Sequence, residues 1–242
     1  MQLHSTKGIV LRQLKYGDTS LVVSIYTALF GIQSYLVQGV RSNMKSTHKA
    51  NLYQIGNLLN LIVYHHPNKN LQRIKEAHLF YLYDDIYQVV IKNAIVFYMV
   101  ELLSKTITEP ESNADLYEFI ENSFLHVEQS KEADLANYPI EFTFALASQL
   151  GFEVQNAYKE NQNYFDLQNG NFCSQQELAS TYFLQDADAA LLSQIIYSEP
   201  IATNLNQSKR NELLRYAIQY IQLHIPHVSD LKSVAVLHSM LS

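Results

Sequence analysis

K-G-I-V-L-R-Q-L-K-Y-G-D-T-S-L-V-V-S-I-Y, Lys7–Tyr26, is where this chain declares itself a strand former. Two short runs rich in Val, Ile and Leu flank K-Y-G-D, whose glycine supplies turn geometry. A second turn, L-F-G-I at 29–32, leads to a third such run, Q-S-Y-L-V-Q-G-V. A looser segment from Arg41 to about Tyr53 precedes N-L-L-N-L-I-V-Y, which ends at H-H-P-N-K-N, 65–70. The fifth run, L-Q-R-I-K-E-A-H-L-F, keeps Leu71, Ile74 and Leu79 out of any single alternation. Five short strands with turns between them predict a small closed or half-closed barrel, because an open sheet would leave apolar edges unpaired.

After Tyr83 the period changes. Val90, Ile91, Ala94, Ile95, Tyr98, Leu102 and Leu103 recur at three- and four-residue spacing and predict one helix over 86–107, ended by Pro110. Further helices are expected from Ala114 to Val127 behind an Asn113 or Ser112 cap, and from Tyr138 or Pro139 to Leu150 with Gly151 as stop. Others are expected over 186–196, over 208–224 before Pro226, and over 231–240. The polar interval 152–183 interrupts this series, and Tyr164, Phe165, Leu167 and Phe172 would tie it down as a hairpin-like excursion. The expected organisation is α+β: a five-stranded barrel at 1–80 and an all-helical domain at 81–242 carrying an irregular, non-zinc insertion at 152–183.

Charge divides at the same place. The chain is formally -6, yet residues 1–80 hold nine bases against two acids, a local +7. The remainder holds eight bases against 21 acids, -13. A basic module suits a polyanion. Its candidate contacts are Arg12, Lys15, Arg41, Lys45, Lys49, Arg73 and Lys75, with Tyr16, Tyr26, Phe30, Tyr35, Tyr53 and Tyr64 as candidate stacking rings and Phe30 expected inside. Arg41, Lys45 and Lys49 stand four residues apart, so a short helix would align them.

Several chemistries find no support. The glycines form neither a phosphate loop nor a dinucleotide fingerprint, and no nucleophile elbow is present. His65–His66 and His224-x-x-His227 supply two imidazoles each, short of a zinc site's usual set, and Asp84–Asp85 fits helix capping or a solvated face better than metal binding. Cys173, the lone cysteine, excludes an internal disulfide and is expected to be a buried or half-buried small hydrophobe. The opening residues lack an apolar stretch with a cleavage signal, and no apolar run approaches the roughly 18 residues a membrane span requires. A cytoplasmic, non-catalytic binding protein without cofactor is expected.

The order of K-G-I-V-L-R, Y-G-D-T-S-L-V-V, the F-G at 30–31, V-Q-G-V-R-S at 37–42, L-G-F at 150–152, F-D-L-Q-N-G-N-F-C at 165–173, L-N-Q-S-K-R-N-E-L-L-R-Y at 205–216 and L-K-S at 231–233 resembles the RecO family of bacterial recombination mediators, most closely its Bacteroidetes branch. The resemblance covers almost the whole chain. It implies an OB-fold barrel followed by a helical domain, binding of single- and double-stranded DNA, annealing of complementary strands, association with RecR, and help to RecA in displacing single-stranded-DNA-binding protein (SSB). No nucleotide cofactor is implied.

Many relatives carry four cysteines in a zinc-binding insert. Here Cys173 falls at a family cysteine position, but 151–164 supplies neither a companion cysteine nor a histidine, so an apolar clasp of the residues at 164–172 is expected in place of metal. The family's helical domain receives the acidic, aromatic-ended SSB C-terminal tail, which calls for an apolar pocket with a positive rim. Lys209, Arg210 and Arg215, the densest bases of the acidic part, are the candidates; pairing with Glu212 or simple helix solvation is the competing role.

Overall fold

The computed structural model describes residues 2–40, 50–108, 110–198, 205–228 and 230–240. Strands β1 (Gln2–Tyr16), β2 (Ser20–Thr27), β3 (Gly31–Val37), β4 (Leu58–His65) and β5 (Leu71–Leu79) close into a barrel in the order β1-β2-β3-β5-β4. Long β1 serves two neighbours: Gln2–Ile9 pairs with β4, and Gly8–Tyr16 pairs with β2. Closure comes from one parallel contact, Ser34–Leu36 of β3 beside Leu71–Arg73 of β5. This is the expected five-stranded OB-type architecture.

Alternation fills the interior. Val10, Val23, Ile25, Tyr35, Leu59, Leu61 and Val63 point inward and pack together. Where β1 passes from one partner to the other, Gly8 is required: a Cβ there would lie 2.6 Å from Ile25 Cγ2 and 2.9 Å from Leu61 Cδ1. Phe30, expected inside, is only half-buried; its ring stacks on His65 at 4.0 Å with His4 edge-on at 5.1 Å.

Two β-bulges interrupt the alternation. In β1, Val10 opposes Ile25 but Arg12 opposes Ser24, so Leu11 is the extra residue. In β5, Ile74 opposes Val63 and Glu76 opposes Ile62, so Lys75 is extra. The second bulge explains the broken pattern of the fifth run: Ile74 and Ala77 both reach the core despite a three-residue spacing.

The chain forms two compact units, 1–129 and 130–242. The change from strand to helix falls between Leu79 and Asp85, whereas packing divides the chain later, because the first unit also contains α1 (Asp85–Gln88), α2 (Val90–Thr106) and α3 (Ala114–Gln129). The single helix expected over 86–107 is broken at Val89, which is extended (φ -96°, ψ 112°). The break has a long-range cause. Glu128 of α3 accepts the Asp84 and Asp85 amides on Oε1 at 2.8 and 3.2 Å and the Ile86 amide on Oε2 at 3.0 Å, fixing where α1 begins. Lys92, 1 % exposed, donates to Asp85 Oδ2 at 2.6 Å and to the Glu128 carbonyl at 2.7 Å. Asn113 caps α3 as expected, its Oδ1 accepting from the Leu116 amide at 2.9 Å. Gly31 lets the β2–β3 turn meet the Glu111 backbone; a Cβ there would sit 2.2 Å from the Glu111 carbonyl oxygen.

The second unit holds α4 (Tyr138–Gln149), α5 (Asp186–Ile196), α6 (Gln207–His224) and α7 (Ser233–Met240). The polar interval is a three-stranded sheet, β7-β6-β8, of β6 (Tyr164–Asp166), β7 (Asn171–Cys173) and β8 (Phe183–Gln185). Phe165, Leu167 and Phe172 are wholly buried, and Phe165 meets Phe172 at 4.8 Å, Tyr220 at 5.9 Å and Phe144 at 6.2 Å. The apolar clasp is therefore present. No helix among the described residues is long and apolar enough to cross a membrane.

Candidate nucleic-acid interface

The bulge in β1 aims its basic end. With uninterrupted alternation Arg12, Leu14 and Tyr16 would share the inward face of Val10; the extra residue at Leu11 turns all three outward. Arg12 and Lys15 are exposed, Lys15 at the strand end opposite Leu21. On β5, Arg73 and Lys75 are exposed, and Arg73 is the register partner of Leu36. Arg12, Lys15 and Arg73 make no ion pair among the described residues, whereas Lys75 lies 3.5 Å from Glu76. Arg41, Lys45 and Lys49 lie outside the described residues, as does the short helix that would align them.

One base is diverted. Lys7 donates to Glu121 Oε1 at 2.7 Å and lies over the Phe80 ring at 3.9 Å, so its charge serves the packing of barrel against helix. Composition counts this base with the others; only the fold shows the partner, 114 residues away.

The rings also separate. Tyr26, Tyr35 and Tyr53 are buried, and loss of hydration pushes their phenols up, Tyr26 and Tyr53 to about 12. Phe30 and Tyr64 are half-buried, and Tyr16 is 58 % exposed. At the end of β3 a hollow of about 330 Å³ is lined by Leu36, Val37, Tyr53, Arg73, Lys75 and their neighbours, so both β5 bases stand on its wall.

No metal cluster replaces this picture: among the described residues no three His, Cys, Asp or Glu side chains gather into a metal-binding group. His224 Nδ1 lies 2.8 Å from the Tyr220 carbonyl, Asp85 pairs with Lys92, and Cys173 is buried with its thiol pushed up by desolvation and then by Asp166 and Glu177.

In the second unit the three candidate bases part company. Lys209 donates to Asp188 Oδ1 and Glu212 Oε2, both at 2.8 Å, and these bonds raise its pKa. Arg210 donates to the Leu205 carbonyl. Arg215 is exposed, 4.0 Å from Glu212 Oε1, and stands at a groove of about 780 Å³ between α6 and α7. Tyr216, Ile218, Leu231, Val234 and Ala235 give the groove its apolar walls. Nothing in the period of either helix signals that two apolar faces leave this gap between them.

The barrel topology and the helical second unit agree with matches to known proteins. Residues 1–83 match the family described as "Recombination protein O N terminal", and residues 88–234 match "Recombination protein O C terminal". The chain belongs to the RecO family. The DNA repair protein RecO of Bacteroides fragilis is 33 % identical over 241 residues, 98 % of this chain and 99 % of its own length. The protein of the same name from Christiangramia forsetii is 30 % identical over 243 residues, 99 % of each chain. That of Phocaeicola vulgatus is 30 % identical over 99 % of this chain and 100 % of its own. The RecO resemblance, including its Bacteroidetes character, thus extends over both units.

Proposed function

We propose that this chain is a recombination mediator that binds single- and double-stranded DNA on its barrel and anneals complementary strands. With RecR it helps RecA load on SSB-coated DNA in the cytoplasm. The carrying observation is that Arg12, Lys15 and Arg73 are exposed and make no ion pair among the described residues, on a closed OB barrel inside an otherwise acidic chain. Such a surface gathers phosphates of any sequence, neutralises repulsion between two strands and raises their local concentration; no bond is made or broken. The groove of the second unit supports the other half of this reading. Its apolar walls suit the aromatic end of the SSB tail, and Arg215 suits the tail's acids.

The decisive experiment is strand annealing with and without SSB, paired with fluorescence anisotropy across a salt series. Replacing Arg41, Lys45 and Lys49 together with Ala is expected to weaken single-strand binding across sequences and flatten its salt slope, each lost phosphate contact removing about 0.7 from the slope. An unchanged slope removes these three from the interface. Tight association with RecR or SSB but no salt-dependent DNA binding would replace the proposal with a protein-only adaptor.

A further inference from the structure

We infer that the outer face of β1, β2, β3 and β5 is a track for an unpaired strand, on which Tyr16 stacks with a base while Arg12 and Arg73 hold phosphates on either side. This rests on the DNA-binding proposal and adds the path, the ring and the preference for single strands.

Register places the parts. Leu14 opposes Val22, Val22 opposes Leu36, and Leu36 stands beside Arg73, so these four form one outward row. Arg12, Ser24, Ser34 and Leu71 form the next row. Tyr16 opposite Ser20 ends the face. Four strands make three intervals, so the row from β1 to β5 spans about 14 Å. The two arginines therefore stand at opposite margins of an apolar floor, with serines keeping the neighbouring row low.

Exposure on this face is unusual for its residue types. Leu14 is 47 % and Tyr16 58 % exposed, although three other barrel tyrosines are buried. The strands and turns of this face carry two acids, Asp18 in the β1–β2 turn and Glu76 on β5, the latter 3.5 Å from Lys75. An apolar floor with an exposed ring and cationic margins complements a strand whose base faces are uncovered; a duplex hides those faces in its own stack. The bulge at Leu11 is the device that makes the face, because it aims Arg12, Leu14 and Tyr16 outward together.

The test uses the full chain, a fluorescent oligothymidylate and a duplex of equal length. Tyr16 is exposed, so Tyr16→Ala should melt like the parent. It is expected to weaken oligothymidylate binding about 5- to 150-fold, leave the salt slope unchanged and spare duplex affinity, while Tyr16→Phe restores single-strand binding. Arg12→Ala should lower the slope instead, by about 0.7. Parent-like binding by Tyr16→Ala, or an equal loss on duplex, overturns the track while the DNA-binding proposal stands. Failure of the parent chain to bind either DNA in a salt-dependent way overturns both.

Discussion

Glu128→Ala tests how the barrel hands the chain to its first helices. Glu128 is 8 % exposed, and its carboxylate accepts three backbone N–H groups, from Asp84, Asp85 and Ile86. Its loss acts unequally on them. The Ile86 amide bond is buried, so the donor would be left without water or partner at about 1–3 kcal/mol. The Asp84 and Asp85 bonds are part-buried, and those amides can turn to solvent, so about 0.5–1.5 kcal/mol is lost at each. The expected destabilisation is about 2–6 kcal/mol, a large share of a domain's usual margin. Glu128→Gln keeps the shape and one acceptor oxygen but sets an amide N–H₂ against the remaining donors, so roughly half of that loss is expected. Urea unfolding followed by circular dichroism measures both. A Glu128→Ala loss below about 1 kcal/mol would refute the claim that this side chain sets the start of α1.

Two further outcomes follow from burial. Phe165→Ala should cost about 3–5 kcal/mol, because the ring is wholly enclosed by Phe144, Phe172 and Tyr220, while EDTA should leave the melting midpoint unchanged; a chelator-sensitive transition would refute the metal-free clasp. His65 is held below the ordinary imidazole value of about 6.5 by burial first, then by His4 and His66, so it folds as the neutral ring. Its contribution is intact above that pH and is lost as pH falls toward the lowered value; His65→Phe, which retains an aromatic ring against Phe30, should flatten the fall in thermal midpoint between pH 7 and 5, and an equally steep fall would refute it.

Most of the architecture was readable because it rests on local chemistry. Glycine turns bracket β1 to β3, the helical period begins beyond Tyr83, and Asn113 and Gly151 punctuate α3 and α4 where their side chain or positive φ is needed. The miss at Val89 has a different origin. Its sequence continues a good helical pattern, but Glu128 receives the amides of 84–86 and Lys92 is drawn to the Glu128 carbonyl. Contacts some 40 residues apart override the periodicity, and no window confined to 86–107 contains them.

The interface was readable in kind but not in direction. Composition locates positive charge in the first 80 residues, yet direction depends on pleat, and pleat depends on bulges. Were Leu11 paired in regular alternation, Arg12 would face into the barrel with Val10; were Lys75 paired so, Glu76 would face inward after Ile74. Each bulge thus solves a burial problem for its strand, avoiding a charge among aliphatic side chains. The same two insertions that make the interior apolar therefore leave bases displayed on β1 and β5. In this barrel, stability and the proposed grip on DNA come from one set of backbone irregularities, so substitutions that shift either register should damage both together.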